Sequence, residues 1–453
     1  MHRFARPFVL LFFFVALAFF AFALAQRIRE VRRHDQRLAR ASAAPGASHV
    51  PARADSLGET IAVAPAWLAA RAPSGSAHVR ALDTRTRADF ERGHIARAIA
   101  LPADSIATPA ALPAILARYG VGAADTLVCY ADAATIAYAA RVVWLLESAG
   151  APAVRFLDGG IEAWRAAGLP METGAAGTRA GATPAWPHAP DSSRIATHAF
   201  VLANFGAKRI EILDARGPDA WEAEMPGLLA SQWGEAGHIP HSLPFEFAKF
   251  IRADGTLAPR AEIRGEIRRA GPRPATPIDL DAEFVLYDDG AGIDAALGYL
   301  VLRAAGIERA RCYPDGWAAW SSNASNPRVR IVGAAEMKRR ADARATEPFL
   351  LFDMRTSNDF KAGHIPGATF LAAHQFEDSL DAIVERTWPG LDRARTPLAA
   401  YCYGADCIRS RNGCSWAARR GFTHLEWFRG GIAEWESANL PTIRESVADG
   451  VTP

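Results

Sequence analysis

Residues 351–368 read LFDMRTSNDFKAGHIPGA, and the same order of landmarks occurs twice earlier in the chain. An apolar run closes on Asp-x-Arg at Asp83 and Arg85 in ALDTR, at Asp214 and Arg216 in ILDAR, and at Asp353 and Arg355 in LFDMR. A Gly-His-Ile triplet follows at His94, His238 and His364. Next comes a second apolar run, LVCYA, FVLYDD or LAAYC, then a helical stretch, then a glycine turn leading to tryptophan: DGGIEAW, DGWAAW and RGGIAEW. Each copy is far longer than a solenoid repeat and alternates strand with helix, which predicts tandem α/β domains. Such alternation implies a mainly parallel sheet with helices on both faces.

The domain boundaries follow from these landmarks. The first two copies are expected over 61–175 and 190–326 and the third over 332–445. The Gly, Ala and Pro-rich stretch 174–193 and the stretch 321–329 read as separators. Ahead of the first copy, residues 1–6 form a short basic region, and residues 7–25, PFVLLFFFVALAFFAFALA, carry no charge. As helix this run spans about 28 Å, close to the hydrocarbon thickness of a bilayer, and it lacks the polar face of a soluble-core helix. It is therefore expected to engage the membrane, as an N-terminal hydrophobic helix followed by a basic spacer and linker over 26–60.

Two signals disagree on topology. Arg27, Arg29, Arg32, Arg33, Arg37 and Arg40 follow the run, against Arg3 and Arg6 before it, a bias that favours a cytoplasmic bulk. Ala23-Leu24-Ala25 resembles the cleavage site of a secretory signal and favours export. The reading adopted is an inner-membrane anchor facing the periplasm, or an exported soluble protein if cleavage follows Ala25. A net charge of +2, from 51 basic and 49 acidic residues, gives no overall field toward nucleic acid, and no such partner is expected.

The Asp-x-Arg strand end, the HIPGA turn and the late GG-x-x-x-W, in this order, resemble the rhodanese family, and the resemblance covers about 61–445. It implies three tandem rhodanese-like domains. In that family the nucleophile sits just after the strand that follows the HIPGA region, where a loop leads into a helix. Main-chain amides of such a loop, with a helix N-terminus, favour a thiolate that can carry sulfane sulfur as a persulfide. The first copy has Ala131 at that place, with Cys129 inside the strand, and the second has Asp288. Neither can accept sulfur, and both copies are expected to be inactive.

The third copy, LAAYCYGADCIRSRNGCSWAARRGF, puts Cys402 at the strand end. The resemblance makes Cys402 the catalytic residue. It makes Tyr403, Gly404, Ala405, Asp406, Cys407, Ile408, Arg409 and Ser410 the substrate-binding loop. Gly404 is expected to let the backbone curl through positive φ, Arg409 to meet an anionic donor, and Ser410 to cap the following helix. Arg409 lies seven positions beyond Cys402 rather than the commoner five, a spacing that resembles a subgroup with the pattern YCxGxxCxxS and admits Cys407 as a resolving thiol. The implied partners are a small sulfur-containing donor of the thiosulfate type and a thiol or cyanide-like acceptor.

Competing chemistry fits less well. Cys402, Cys407 and Cys414 match no compact zinc spacing and have no histidine nearby, so no metal and no cofactor are expected. A Cys-x5-Arg phosphatase loop is one residue shorter than the one present. A thiol-disulfide redox role for Cys402 and Cys407, or a non-catalytic binding scaffold at the membrane, stand as alternatives. Cys129, Cys312 and Cys414 read as core, as do Trp164, Trp320 and Trp435, while Asp353 and His364 read as turn-fixing residues.

Overall fold

The computed structural model describes residues 61–71, 78–122, 124–151, 153–175, 189–222, 237–271 and 277–445. The expected membrane segment 7–25 and its spacer lie outside these residues. Among the described residues no helix is long and apolar enough to cross a membrane.

Each repeat is built on a parallel sheet. In the first, the strands lie side by side in the order Ala62–Val63, Ala153–Leu157, Thr126–Tyr130, Val79–Asp83, Ile99–Ala100. The third repeats this order with Arg328–Val332, His424–Phe428, Leu398–Tyr401, Leu350–Asp353, Thr369–Phe370. The second has Ala310–Tyr313, Glu283–Tyr287, Ile210–Asp214, Leu243–Pro244, and a single parallel bridge from Ile195 to Cys312 takes the place of the outer strand. Central strands are buried on both faces, which is why LVCY, FVLY and LAAY are apolar without alternation. The stretch 321–329, read as a separator, contains the start of strand Arg328–Val332, and Val329 bridges to His238 of the second repeat. Val329 is buried in the core of the third repeat, so this end of the junction is packed structure.

One buried network explains the recurring Asp-x-Arg and Gly-His-Ile. In the third repeat Arg355 grips Asp353 through Nε to Oδ1 at 3.0 Å and Nη2 to Oδ2 at 2.7 Å, and also donates to the Gly363 carbonyl. The Tyr401 hydroxyl donates to Asp353 at 2.6 Å and accepts the Ile365 amide at 3.1 Å. The His364 ring stacks on Phe360 with Nδ1 2.9 Å from the Phe360 carbonyl oxygen. The pattern recurs at Asp83, Arg85 and His94, and at Asp214, Arg216 and His238. Each network joins two central strands to the intervening turn, leaving these charges paired inside the protein. Asp353 and His364 thus fix turns, as expected.

The repeats pack on one another. The first two share one apolar core, with helices Ile136–Ser148 and Ile293–Ala304 in contact and Arg303 paired to Glu147 at 2.9 Å. The second meets the third through Trp221, whose ring lies edge-on to Trp427 at 5.9 Å, and through His241, whose amide donates to the Ser415 hydroxyl at 3.1 Å. Ser415 lies on helix Arg409–Arg419, which directly follows the cysteine loop. The second repeat therefore braces the element that positions the candidate site.

Candidate active site

In the third repeat the chain steps outward from Leu350–Asp353 to Thr369–Phe370 on one side and from Leu398–Tyr401 to His424–Phe428 on the other. The carboxyl ends of the two central strands therefore form a topological switch point, where α/β sheets present ligand sites. Cys402 leaves strand Leu398–Tyr401 at this place, beside the Asp353 network.

A clamp that sequence reasoning missed holds the position. The Ile432 amide donates to the Cys402 carbonyl at 3.0 Å, and Gly431, at φ 55°, approaches that carbonyl so closely that a Cβ would lie 2.4 Å from its oxygen. The same contact joins Gly160 and Ile161 to the Ala131 carbonyl, and Gly316 and Trp317 to that of Asp288. The recurrent glycine turn before tryptophan was the visible signal. It serves the strand-end residue directly, while Trp164, Trp320 and Trp435 are core and donate to the carbonyls of Pro170, Pro327 and Pro441.

The three strand ends then diverge. Ala131 in the first repeat leads to a loop in which the Asp132 carboxylate accepts the Thr135 amide and hydroxyl at 2.9 and 2.6 Å. In the second, the Asp288 carboxylate accepts four main-chain amides: Gly290 and Gly292 on Oδ1 at 2.9 and 3.0 Å, Asp294 and Ala295 on Oδ2 at 3.1 and 3.3 Å. These amides form an anion cradle over the start of helix Ile293–Ala304, filled by the protein's own side chain. In the third, Cys402 is bonded to Cys407 with the Cα atoms 6.3 Å apart, and the Cys407 amide donates to the Gly404 carbonyl at 3.0 Å.

Two local expectations are corrected. Helix Arg409–Arg419 begins one residue before Ser410, and Ile408 stands at its cap position. Ser410 points inward instead, where its hydroxyl accepts the Trp427 indole N–H at 3.0 Å, because it already lies in the first buried turn. Gly404 is absent from the positive-φ residues, and a Cβ there would meet only ordinary contacts at 3.7 Å. With the two cysteines joined, the turn closes without left-handed backbone at Gly404.

The remaining loop residues surround the pair. Ala405 and Asp406 are exposed at the tip, while Cys407, Ile408 and Arg409 are half-buried. Tyr403 reaches out to donate its hydroxyl to Asp359 at 2.6 Å, and the Arg409 guanidinium lies 5.6 Å from the Tyr403 ring centre. The Thr356 hydroxyl, with Tyr403 as a second donor, holds the Asp359 carboxyl below its usual range. Arg409 also borders a cleft of about 730 Å³ whose walls include Thr356, Ser357, His374, Gln375 and Trp416. Arg355 reaches the same cleft, but its guanidinium is committed to Asp353. The cleft was not foreseen, since helix Ala373–Thr387, which supplies His374 and Gln375, carries no motif.

The other cysteines are core. Cys129, Cys312 and Cys414 are fully buried, and burial raises each thiol well above its ordinary range. Such thiols are poor nucleophiles. Among the described residues no cluster of His, Cys, Asp and Glu is arranged to hold a metal ion.

Known proteins share this architecture. The rhodanese-like domain family matches residues 64–167, 197–323 and 334–438. A probable 3-mercaptopyruvate sulfurtransferase of Pseudomonas aeruginosa is 30% identical over 220 residues, 48% of this chain and 72% of that protein. The 3-mercaptopyruvate sulfurtransferase of Mus musculus is 29% identical over 216 residues, 47% of this chain and 68% of that protein. The crystal structure of YnjE superposes with a TM-score of 0.51 at 21% identity, covering 59% of this chain and 68% of that one. With the family matched over more than half its length at three successive places, the chain belongs to the rhodanese family and is a rhodanese-type sulfurtransferase.

Proposed function

We propose that the third repeat moves sulfane sulfur from a thiosulfate-like donor to a thiophilic acceptor through a persulfide on Cys402. The observation that carries this reading is the Asp288 carboxylate. At the equivalent place in the second repeat, the fold gathers four amides around an anion. A reduced Cys402 stands at the corresponding strand end, where main-chain amides of the loop that follows would hold it as thiolate.

The thiolate attacks the outer sulfur of thiosulfate, the sulfur–sulfur bond of the donor breaks, and sulfite leaves with the bonding pair. An acceptor such as cyanide or a thiol then takes the outer sulfur and returns the thiolate. Arg409, at the edge of the cleft, is the cation suited to the donor's negative charge. Relatives named for thiosulfate and for 3-mercaptopyruvate use donors that pair an anionic group with a transferable sulfur, which suits the same arrangement. The segment 7–25 supports attachment to the inner membrane with the repeats on the periplasmic side, which labelling of the cysteines from outside intact cells would test.

The assay is thiocyanate formation from thiosulfate and cyanide by the pre-reduced protein. Cys402→Ser is expected to abolish it, a loss of about 10³-fold or more for removal of a nucleophile, while Cys129→Ser retains it. Equal activity in the two variants would refute the assignment. Turnover of an aryl phosphate in place of thiosulfate would mark the loop as a phosphatase. The Cys402–Cys407 bond favours a second reading, a thiol-disulfide exchange protein without sulfur transfer, in which added sulfur never appears on Cys402.

A further inference from the structure

The loop after Cys402 is longer than its counterparts. The crossover helix begins five residues after Ala131 and after Asp288, at Ile136 and Ile293, but seven after Cys402, at Arg409. The added length carries Cys407 back over the strand end, where its sulfur bonds that of Cys402. Both ends of the loop are pinned. The Cys402 and Tyr403 carbonyls accept the Ile432 and Ala433 amides at 3.0 and 3.2 Å, and Ser410 is tied to Trp427.

We propose that Cys407 discharges the Cys402 persulfide within the loop, releasing the transferred sulfur as hydrosulfide and closing the disulfide, so that turnover runs on dithiol reductants. This rests on Cys402 being the persulfide carrier. The decisive point is which sulfur Cys407 reaches. Its Sγ is positioned against Cys402 Sγ, the inner sulfur of the persulfide, whereas an acceptor entering from solvent meets the outer one. In the disulfide-bonded loop Cys402 is 1% exposed, and the group that reaches its sulfur is Cys407.

The chemistry balances. Cys407 thiolate attacks Cys402 Sγ, the bond between the two persulfide sulfurs breaks, and hydrosulfide, a good leaving group, departs with the bonding pair. The two thiols lose two electrons and the sulfane sulfur gains them. From thiosulfate and two thiols the products are sulfite, hydrogen sulfide and the disulfide. An external dithiol then returns both cysteines to thiols and is itself oxidised. The class of reaction that must precede each cycle is therefore dithiol-disulfide exchange.

The test uses the full chain, reduced, freed of reductant and mixed with a single equivalent of thiosulfate. Sulfide is measured and the protein mass is read after rapid alkylation. Wild type is expected to release sulfide stoichiometrically and to end with Cys402 and Cys407 unreactive to alkylation. Cys407→Ser and Cys407→Ala should instead retain one added sulfur on Cys402 and release roughly tenfold less sulfide. A wild type that keeps the added sulfur, or serine and alanine variants that release sulfide as wild type does, would overturn the proposal while leaving the carrier role intact. If neither wild type nor variants gain sulfur, the carrier role itself is lost.

Discussion

At the same place in two neighbouring repeats the fold holds a carboxylate in one and a bonded pair of sulfurs in the other. Asp288 fills its cradle with a carboxylate that four amides satisfy. Cys402 carries a side chain that becomes an anion only when reduced. The framework around both is shared: the Asp-x-Arg pair, the buried tyrosine and the glycine clamp on the strand-end carbonyl. The difference teaches that what distinguishes these repeats is one residue at the strand end and the length of the loop after it. A repeat can keep the architecture of an anion site with its own side chain serving as the ligand.

The most direct way to break the comparison is to empty the second cradle. Asp288→Ala leaves buried donors without their acceptor, and urea denaturation should show a loss of about 2–4 kcal/mol. Millimolar sulfate should recover part of that loss in the variant and leave wild type unmoved. A variant as stable as wild type would mean that the amides do not depend on the carboxylate.

The glycine clamp offers a sharper contrast. Gly431→Ala would set a Cβ 2.4 Å from the Cys402 oxygen, and Gly316→Ala would set one 2.4 Å from the Gly290 nitrogen. Both glycines have positive φ, 55° and 60°, so each substitution should cost about 1–3 kcal/mol. Thiocyanate formation should fall about tenfold or more for Gly431→Ala and stay within about twofold for Gly316→Ala, since only the first displaces the thiol. Equal loss of activity in both would indicate that the second repeat contributes to the chemistry.

The smallest effect concerns the contact between the two regions. His241 of the second repeat has Nε2 3.0 Å from the Ser415 carbonyl on the helix that follows Cys402. Burial first, then Arg419, lowers its pKa to about 4. Because the folded state favours the neutral ring, its contribution is fully present above the ordinary histidine pKa. It is lost as pH falls from about 6.5 through 4. Denaturation midpoints across this window should fall with acid in wild type and more shallowly in His241→Gln. Parallel slopes would remove His241 as the source.

Residues with one dominant local preference were legible from the chain alone. Asp353 and Arg355 pair two positions apart, so the motif carries its own partner. Cys129, inside LVCY, and Cys414, on the helix, were read as core and are buried. Ser410 and Gly404 misled because a hydroxyl near a helix start and a glycine in a loop have a common use that tertiary contacts replaced. The Trp427 indole took the first, and loop closure through Cys407 made the second unnecessary. The cleft wall on helix Ala373–Thr387 had no local signature, since its residues meet the loop only after the sheet forms.

Three repeats, their parallel sheets, and the placement of one cysteine at a strand end were determined by sequence, because hydrophobic period, turn chemistry and a threefold pattern act over short distances. Tertiary structure alone decided that Asp288 would fill its own cradle, that Cys407 would meet Cys402, and that the second repeat would brace the helix behind them. Those outcomes depend on where main-chain amides and distant side chains converge, a property of the folded chain in three dimensions.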